Sequence, residues 1–333
     1  MKVDGGLGSD LHTVGDQAKE LEDMGYGGAM TAETSHDPFY PLLFAAQKTS
    51  KIELMTGIAV AFARSPMTTA NSAWDLNSFS KGRFVLGLGS QIKPHIEKRF
   101  SMPWSHPAAR MREFVQAMQA IWHTWSTGER LNFRGKFYTH SLMTPFFTPT
   151  DVQYGAPRVL LAAVGPLMAQ VAGEVADGVI LHAFTTETYL RKVTLPALDA
   201  GFAISGRKRA DFEISYPVFV VTGRDEKEMQ AASVATRRQI AFYGSTPAYK
   251  GVLDSVDAGE LQPRLNSMSK EGKWEDMGTL IGDDLLKEFA IIAEPQNIAS
   301  EIKRRYGDVV DRTSAAYASL SKETRVKVIK ELA

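Results

Sequence analysis

Three titratable side chains stand where predicted strands end, and they are the first candidates for proton transfer. Glu33 and His36 share one polar segment, and His182 closes a later strand. Histidine has the pKa best suited to moving a proton near neutrality. Glu33 and His36 are placed to contact the reacting end of a bound ring, although Ser35 or Asp37 could simply cap the next helix. His182 is read equally well as a packed residue.

Small residues between a strand and a helix suggest an anion site. In the run Ala163-Val164-Gly165-Pro166, proline occupies the first helical turn and leaves free backbone N–H groups facing the end of the strand. These N–H groups and the helix dipole together bind anions such as a cofactor phosphate. The alternative interpretation is helix initiation alone.

Other motifs carry less chemistry. The pair of glycines in Gly87-Leu88-Gly89-Ser90 follows a strand without completing a GxGxxG fingerprint, so a tight turn explains it as well as a ligand does. HExxH and GxSxG motifs are absent, so we predict no metal site and no acyl-transfer hydrolysis. The charged cluster Arg110-Met111-Arg112-Glu113 is predicted to be solvated; the alternative is that Arg110 or Arg112 reaches the cofactor tail.

Eight short apolar or β-branched runs are predicted as strands, with longer helical patterns between them. The predicted strands are Met1–Asp4, Gly28–Glu33, Ile52–Val60, Arg83–Gly89, Arg158–Gly165, Gly178–Phe184, Glu213–Thr222 and Asp311–Tyr317. Several are almost continuously apolar, as expected of parallel strands covered on both faces. Because eight strands alternate with helices, we predict a closed (β/α)8 TIM barrel, with a doubly wound open sheet as the runner-up.

The intervening segments give helices and two long insertions. The clearest predicted helices are Leu11–Met24, Met67–Ser80, Pro107–Trp125 and Pro166–Ala176. Two connections are too long to be simple loops. Gly128–Ala156 is predicted to contain a small hairpin, and Tyr243–Pro295 to contain the helix Asp283–Phe289. No repeat or linker divides the chain, so we predict one domain over residues 1–333.

The C-terminal ends of the strands form the site in such a barrel. The residues expected there are Asp4, Glu33 to His36, Thr56 to Ala59, Gly89 to Gln91, Ala163 to Pro166 and His182.

Composition excludes several other classes of protein. The chain carries 38 Lys and Arg against 38 Asp and Glu, which is unlike the basic surface of a nucleic-acid binder. Cysteine is absent, so disulfides, thiolate metal sites and a thiol nucleophile are excluded. The N-terminus lacks the apolar stretch of a signal peptide, and no run is long enough to span a membrane. We expect a soluble cytoplasmic protein.

Several runs of sequence resemble those of the luciferase-like monooxygenase superfamily. They are TGIAV at 56–60, RSP at 64–66, SKGRFVLGLG at 80–89, LAAVGP at 161–166 and AGEVADG at 172–178. The Ser-Lys-Gly-Arg turn into strand four is the most specific of them. FSMPWSHP at 100–107 and AFYGSTP at 241–247 are similar to the branch of coenzyme F420 (deazaflavin)-dependent oxidoreductases. The similarity covers nearly the whole chain.

The resemblance implies a cofactor ring in the barrel mouth. It places a non-prolyl cis peptide bond at Gly57–Ile58, with the ring over Ile58, and the cofactor phosphate at Val164 and Gly165. It also puts Glu33 near the ring and His182 on the substrate side. The cofactor-binding residues we expect are Glu33, Gly57, Ile58, Ala59, Gly89, Ser90, Ala163, Val164 and Gly165.

The sequence departs from the family pattern at several positions. The sugar-phosphate dehydrogenases of the superfamily have a glutamate acid shortly after strand four, where this chain has Ser90-Gln91-Ile92. Their histidine beside the strand-two carboxylate is Thr34 here, with His36 close by. Bacterial luciferases carry an arginine that grips the FMN phosphate at the position of Ser90. This difference favours a deazaflavin over FMN.

The sequence thus predicts an oxidoreductase that uses coenzyme F420 for hydride transfer with a small organic substrate. His36 is the first candidate proton donor, His182 the second, and Glu33 is a candidate that could instead orient the ring. An FMN-dependent two-component monooxygenase is the first alternative, and a non-catalytic flavin or deazaflavin carrier is the second. We expect no nucleic-acid or membrane partner, and a homodimer is left open.

Overall fold

A ring of parallel strands forms the centre of the protein. The computed structural model describes residues 1–314 and 320–333. The strands in these ranges are β1 (Lys2–Gly6), β2 (Gly28–Thr31), β3 (Glu53–Thr56), β4 (Ala59–Val60), β5 (Phe84–Gly89), β6 (Phe133–Arg134), β7 (Thr139–His140), β8 (Arg158–Ala163), β9 (Gly178–Leu181), β10 (Glu213–Tyr216), β11 (Phe219–Val221), β12 (Ala290–Ile292) and β13 (Arg312–Thr313).

Eight of these strands close into a barrel in the order β1, β2, β3, β5, β8, β9, β10, β13. All of their pairings are parallel, and β13 pairs back to β1. Since β3 pairs with both β2 and β5, the ring has no free edge. The predicted TIM barrel is confirmed, and the open sheet is excluded.

Two of the predicted strands are interrupted. The prediction of one strand over Glu213–Thr222 is wrong, because Pro217 has no N–H to donate and β10 ends before it. The chain resumes as β11, which pairs with β12 outside the barrel. The predicted strand Ile52–Val60 divides into β3 and β4. The last predicted strand, Asp311–Tyr317, contains β13, while residues 315–317 lie outside the described residues.

Helices surround the barrel. The described α-helices are α1 (Val14–Met24), α2 (Phe39–Lys48), α3 (Pro66–Phe79), α4 (Lys93–Lys98), α5 (Pro107–Thr127), α6 (Pro166–Val175), α7 (Glu187–Tyr189), α8 (Leu195–Ser205), α9 (Glu226–Gly244), α10 (Lys250–Asp254), α11 (Leu261–Lys270), α12 (Trp274–Met277), α13 (Asp283–Phe289), α14 (Ile298–Tyr306) and α15 (Lys322–Leu332). None of these helices is long and apolar enough to cross a membrane.

The predicted helices agree closely with the structure except at one start. The helix predicted from Leu11 begins at Val14, because the carboxylate and carbonyl of Asp10 take the N–H groups of the preceding turn. The apolar face predicted on α5 is confirmed. Its five members are all buried: Met111, Phe114, Val115, Met118 and Ile121.

The two long connections hold different structures. In the first, β6 and β7 pair as the predicted antiparallel hairpin. The second contains α10 to α13 and β12, which share an apolar cluster with Phe184, three residues after the end of β9. This contact brings the second insertion over the C-terminal end of β9.

A charged layer fills the N-terminal end of the barrel. Arg312 donates two hydrogen bonds to Asp4, at 2.8 and 2.7 Å, and also bonds to Glu53 and Glu213. The side chains of Arg312 and Asp4 are both 0% exposed. The expectation that Asp4 lies at the mouth is wrong: its side chain points into the barrel, where Arg312 neutralises it.

Candidate functional site

A backbone bulge follows β3 at the C-terminal end of the barrel. The peptide bond between Gly57 and Ile58 is cis, which confirms the prediction made for this bond. Gly57 donates its N–H to the Thr31 carbonyl at 2.6 Å, and the Ile58 carbonyl accepts the N–H of Glu33 at 3.2 Å. The bulge is therefore held against the end of β2.

Two glycines make room for this bulge. A Cβ atom at Gly57 would lie 2.0 Å from Met30 Sδ, and one at Gly89 would lie 2.7 Å from Ile58 Cδ1. Both separations are far below van der Waals contact, so any larger residue would displace its neighbour. Ile58 packs close to Gly89 while remaining half-exposed. Ala59, the next residue, is buried.

Glu33 lies beside the bulge and is held by Arg64. Glu33 Oε2 accepts the N–H of Val60 at 2.7 Å and Arg64 Nη1 at 2.5 Å. Arg64 Nη2 donates to Asp37 at 2.8 Å, so one guanidinium joins two carboxylates. The Glu33 side chain is 6% exposed. We call these three side chains the Arg64 clamp.

The turn between β8 and α6 is open. α6 begins at Pro166, as predicted, and Gly165 is its N-cap. A Cβ atom built on Gly165 would meet no atom of the described residues within 4 Å, apart from its chain neighbours, so this position is not crowded. Val164 and Gly165 are half-buried, and Ala163 is buried. The Val164 carbonyl accepts the Tyr189 hydroxyl at 3.1 Å, which fixes the turn.

The end of β5, the fourth barrel strand, carries a strained residue. Gln91 has a φ of 61°, a left-handed conformation that residues other than glycine adopt rarely. The Ser90 hydroxyl donates to the Gln91 carbonyl at 3.1 Å, and Gln91 Oε1 accepts the N–H of Ile92 at 3.1 Å. Neither side chain brings a positive charge to this position.

His182 is packed as a neutral imidazole. Its Nδ1 accepts the N–H of Phe184 at 3.0 Å, so the ring proton is on Nε2. Burial lowers the pKa of His182 to about 4. Its ring lies 4.5 Å from that of Tyr243, edge to face, and 5.0 Å from that of Tyr249.

The two tyrosines around His182 were not identified from the sequence. Both belong to the second long connection, which the sequence showed only as an insertion. The available signal was a tyrosine in the last turn of a long helix and a second tyrosine just after Pro247. Tyr249 is packed by Phe184 as well, and burial raises its pKa.

His36 lies on the opposite side of the mouth from His182. It is exposed in the loop after β2, whereas His182 follows β9. These strands are the second and sixth of eight around the ring, so they face each other across it. The structure therefore brings His36 near Glu33 in the same loop and separates both from His182.

The prediction of a solvated charge cluster on α5 is wrong. Arg110 and Glu113 are buried because the β6–β7 hairpin folds over this helix. Glu113 accepts the backbone N–H groups of Lys136, Phe137 and Tyr138, and Arg110 donates to the Tyr138 hydroxyl at 2.8 Å. Arg112 pairs with Glu174 at 2.8 Å. These arginines bind other parts of the protein.

These parts all lie at the C-terminal end of the barrel. The partly exposed apolar bulge can support a planar ring, and the turn before α6 can bind an anionic group. Within residues 1–314 and 320–333, no three carboxylate or histidine side chains are grouped as metal ligands.

Comparison with known proteins identifies the family. Residues 2–312 match the luciferase-like monooxygenase family. The chain belongs to this family. The resemblance of its motifs is thereby confirmed, and the protein is an oxidoreductase.

Individual relatives are similar over most of their length. An uncharacterized protein of Mycobacterium tuberculosis is 53% identical over 97% of this chain and 95% of its own. A 5,10-methylenetetrahydromethanopterin reductase of Archaeoglobus fulgidus is 26% identical over 85% and 83%. An F420-dependent glucose-6-phosphate dehydrogenase of Intrasporangium calvum is 26% identical over 78% and 79%.

A solved structure shares the fold. The coenzyme F420-dependent tetrahydromethanopterin reductase of Methanopyrus kandleri superposes with a TM-score of 0.78 at 20% identity, covering 99% of this chain and 96% of that one. At this level of sequence identity, the similarity shows a shared barrel fold.

Proposed function

We propose that this protein binds coenzyme F420 in the mouth of the barrel and catalyses hydride transfer with a small organic substrate. The observation that carries the proposal is the pairing of two features at the C-terminal end of the barrel, the partly exposed apolar side chain of Ile58 and the uncrowded turn at Gly165. When bound, the deazaflavin supplies two-electron hydride chemistry. The names of the F420-dependent relatives support this choice of cofactor.

The residues at the mouth fit such a cofactor. The space before Gly165, which a Cβ atom would enter without contact, suits the close approach of an anionic group to backbone N–H donors. Gly57, Ile58, Ala59 and Gly89 would hold the ring from one side. Ala163, Val164 and Gly165 would hold the phosphate, and Ser90 and Glu33 complete the proposed contacts.

Proton transfer is assigned to the histidines. The pKa of about 4 leaves His182 uncharged at neutral pH, so it offers a hydrogen bond from Nε2 rather than an acidic proton. His36 is exposed at the C-terminal end of the barrel. This difference supports His36 as the first candidate donor and His182 as a group that orients the substrate.

An FMN-dependent monooxygenase is the second candidate function, favoured by the monooxygenase family to which the chain belongs. A carrier without catalysis is the third. A cytoplasmic location remains a prediction, which cell fractionation tests. A homodimer also remains a prediction, which analytical ultracentrifugation tests.

A parallel titration separates these functions. The purified protein is titrated with F420 and with FMN, followed by cofactor fluorescence, and reduced cofactor is then mixed with candidate carbonyl and imine substrates. We expect tighter binding of F420 and substrate-dependent oxidation of the reduced form. Tight binding of FMN without detectable binding of F420 would select the monooxygenase. Binding without turnover on any substrate would select the carrier.

A further inference from the structure

We infer that Arg64 is a positioning residue for the cofactor: through the clamp with Glu33 and Asp37, it fixes the bulge on which the ring would rest. This inference rests on the proposed function, because it concerns the same mouth. It assigns Glu33 a structural task within that site, as a hydrogen-bond acceptor.

The contacts of the clamp connect two loops. Glu33 and Asp37 both lie in the loop after β2, whereas Val60 and Arg64 lie after the bulge. Arg64 Nη1 donates to Glu33 and also contacts the Val60 carbonyl at 3.3 Å, and its Nη2 donates to Asp37. One side chain therefore joins the two loops that border Ile58.

A guanidinium is suited to this task for geometric reasons. It is planar, always charged, and presents its donors in a fixed fork, so it can hold two carboxylates at defined positions. Arg64 also lies over the ring of Phe39, with its Cζ 5.6 Å from the centroid. Partial burial by itself lowers the pKa of Arg64, but the hydrogen bonds and charges of Glu33 and Asp37 raise it overall.

The clamp uses one oxygen of Glu33 and leaves the other. Oε2 accepts both the Val60 N–H and Arg64, whereas no group of the described residues donates to Oε1. Glu33 therefore connects the bulge to Arg64 through this one oxygen.

The chain offers a matched control. Arg191 also joins two carboxylates, donating to Glu187 at 2.9 Å and to Asp308 at 2.8 Å, but it has no contact with the bulge. Arg64→Gln and Arg191→Gln thus remove the same chemical arrangement from two places. Arg64→Lys keeps the charge without the fork.

Three readouts test the inference. Fluorescence titration should show that Arg64→Gln raises the Kd for F420 about tenfold or more. Arg64→Lys should raise it less, and Arg191→Gln should leave it unchanged. The absorption band of bound F420 should shift in Arg64→Gln alone. In the cofactor-free protein, the amide of Val60 should exchange hydrogen faster in Arg64→Gln than in the control.

The outcomes are distinguishable. If Arg64→Gln binds F420 as the unmodified protein does, or if both arginine variants weaken binding equally, the positioning role is overturned. If the unmodified protein does not bind F420, the proposed function fails. Amide exchange then tests by itself whether Arg64 holds the bulge. An unchanged exchange rate at Val60 in Arg64→Gln would contradict this role, and a faster rate would support it.

Discussion

The two ends of the barrel differ in how extensively their charged side chains are paired and buried. At the N-terminal end, six of them, contributed by five strands, form one connected network: Lys2, Asp4, Glu53, Arg158, Glu213 and Arg312. Three positive and three negative charges cancel, and the central pair is fully buried. At the C-terminal end, the turn before α6 stays open and His36 is exposed.

This difference separates the residues that stabilise the fold from the residues that we expect to bind the cofactor. In the network, Arg312 compensates the buried charge of Asp4, whose pKa burial nevertheless raises. Such a network fills the N-terminal end of the barrel with paired side chains. The mouth keeps donors and space available, which contributes little to folding. We therefore expect substitutions at one end to change unfolding, and substitutions at the other to change cofactor binding.

The largest effect is expected from Arg312→Met. It leaves the Asp4 carboxylate buried without its partner, which typically costs about 3–5 kcal/mol in free energy of unfolding. Urea denaturation measures this loss. The double variant Asp4→Leu with Arg312→Met should recover part of it, because the uncompensated charge is removed. A loss below about 1 kcal/mol in the single variant would contradict a stabilising role for the network.

The second prediction concerns Gly165→Asp at the mouth. A carboxylate before α6 repels an anionic group and occupies the open space, so we expect the Kd for F420 to rise about thirtyfold, or about 2 kcal/mol. Fluorescence titration measures it. The free energy of unfolding should change by less than about 0.5 kcal/mol, as for most surface substitutions.

Gly165→Ala is the matched control for this site. Gly165 has a φ of −83°, which alanine adopts readily, and a Cβ atom there meets nothing within 4 Å. Alanine should therefore bind F420 nearly as the unmodified protein does. Equal affinities for the Asp and Ala variants would remove the anion site from this turn.

The barrel was predictable because its signal is repeated along the chain. Each apolar strand and following helix supports the same architecture, so errors at single strands did not change it. The error at Pro217 arose because the apolar run continues across the proline, and periodicity alone does not register a missing N–H. The cis bond was predicted from the family resemblance.

The site was predictable where it follows one strand and its turn, and less so where distant segments meet. The turn at Gly165 is formed by consecutive residues, so the local sequence is sufficient to predict it. Tyr243 and Tyr249 reach His182 through an insertion whose path no pattern specifies. Likewise, Arg110 and Glu113 look solvated on an isolated helix, and become buried only because a hairpin covers them.

The third prediction compares the two sides of the mouth. If His36 supplies the proton, His36→Asn should slow single-turnover hydride transfer at saturating F420 by at least tenfold, about 1.4 kcal/mol. His182→Gln, which removes a neutral donor, should chiefly raise the KM for substrate. Stopped-flow oxidation of reduced F420 separates the two effects. If neither variant slows the chemical step tenfold, the proton comes from another source.

The smallest effect concerns the pH dependence of stability, and it distinguishes the packing of His182 from its protonation. In the folded protein burial lowers the pKa of His182 from 6.5 to about 4, so between these values the unfolded chain binds a proton that the folded chain does not. The stabilisation is complete above pH 6.5 and is lost as the pH falls towards 4. Because the ring is only half-buried, solvent reduces the effect, and we expect about 1 kcal/mol across this window.

Urea unfolding of the unmodified protein and of His182→Gln, measured from pH 4 to 8, isolates the contribution of this one residue. The difference in free energy of unfolding between them should shrink as the pH falls from 6.5 towards 4. Tyr243→Phe keeps a ring against His182, so it should retain the pH dependence of the unmodified protein. A difference that is constant over the whole range would mean that His182 is protonated equally in both states. In that case burial would not lower the pKa of His182, and its assignment as a packed group would have to be abandoned.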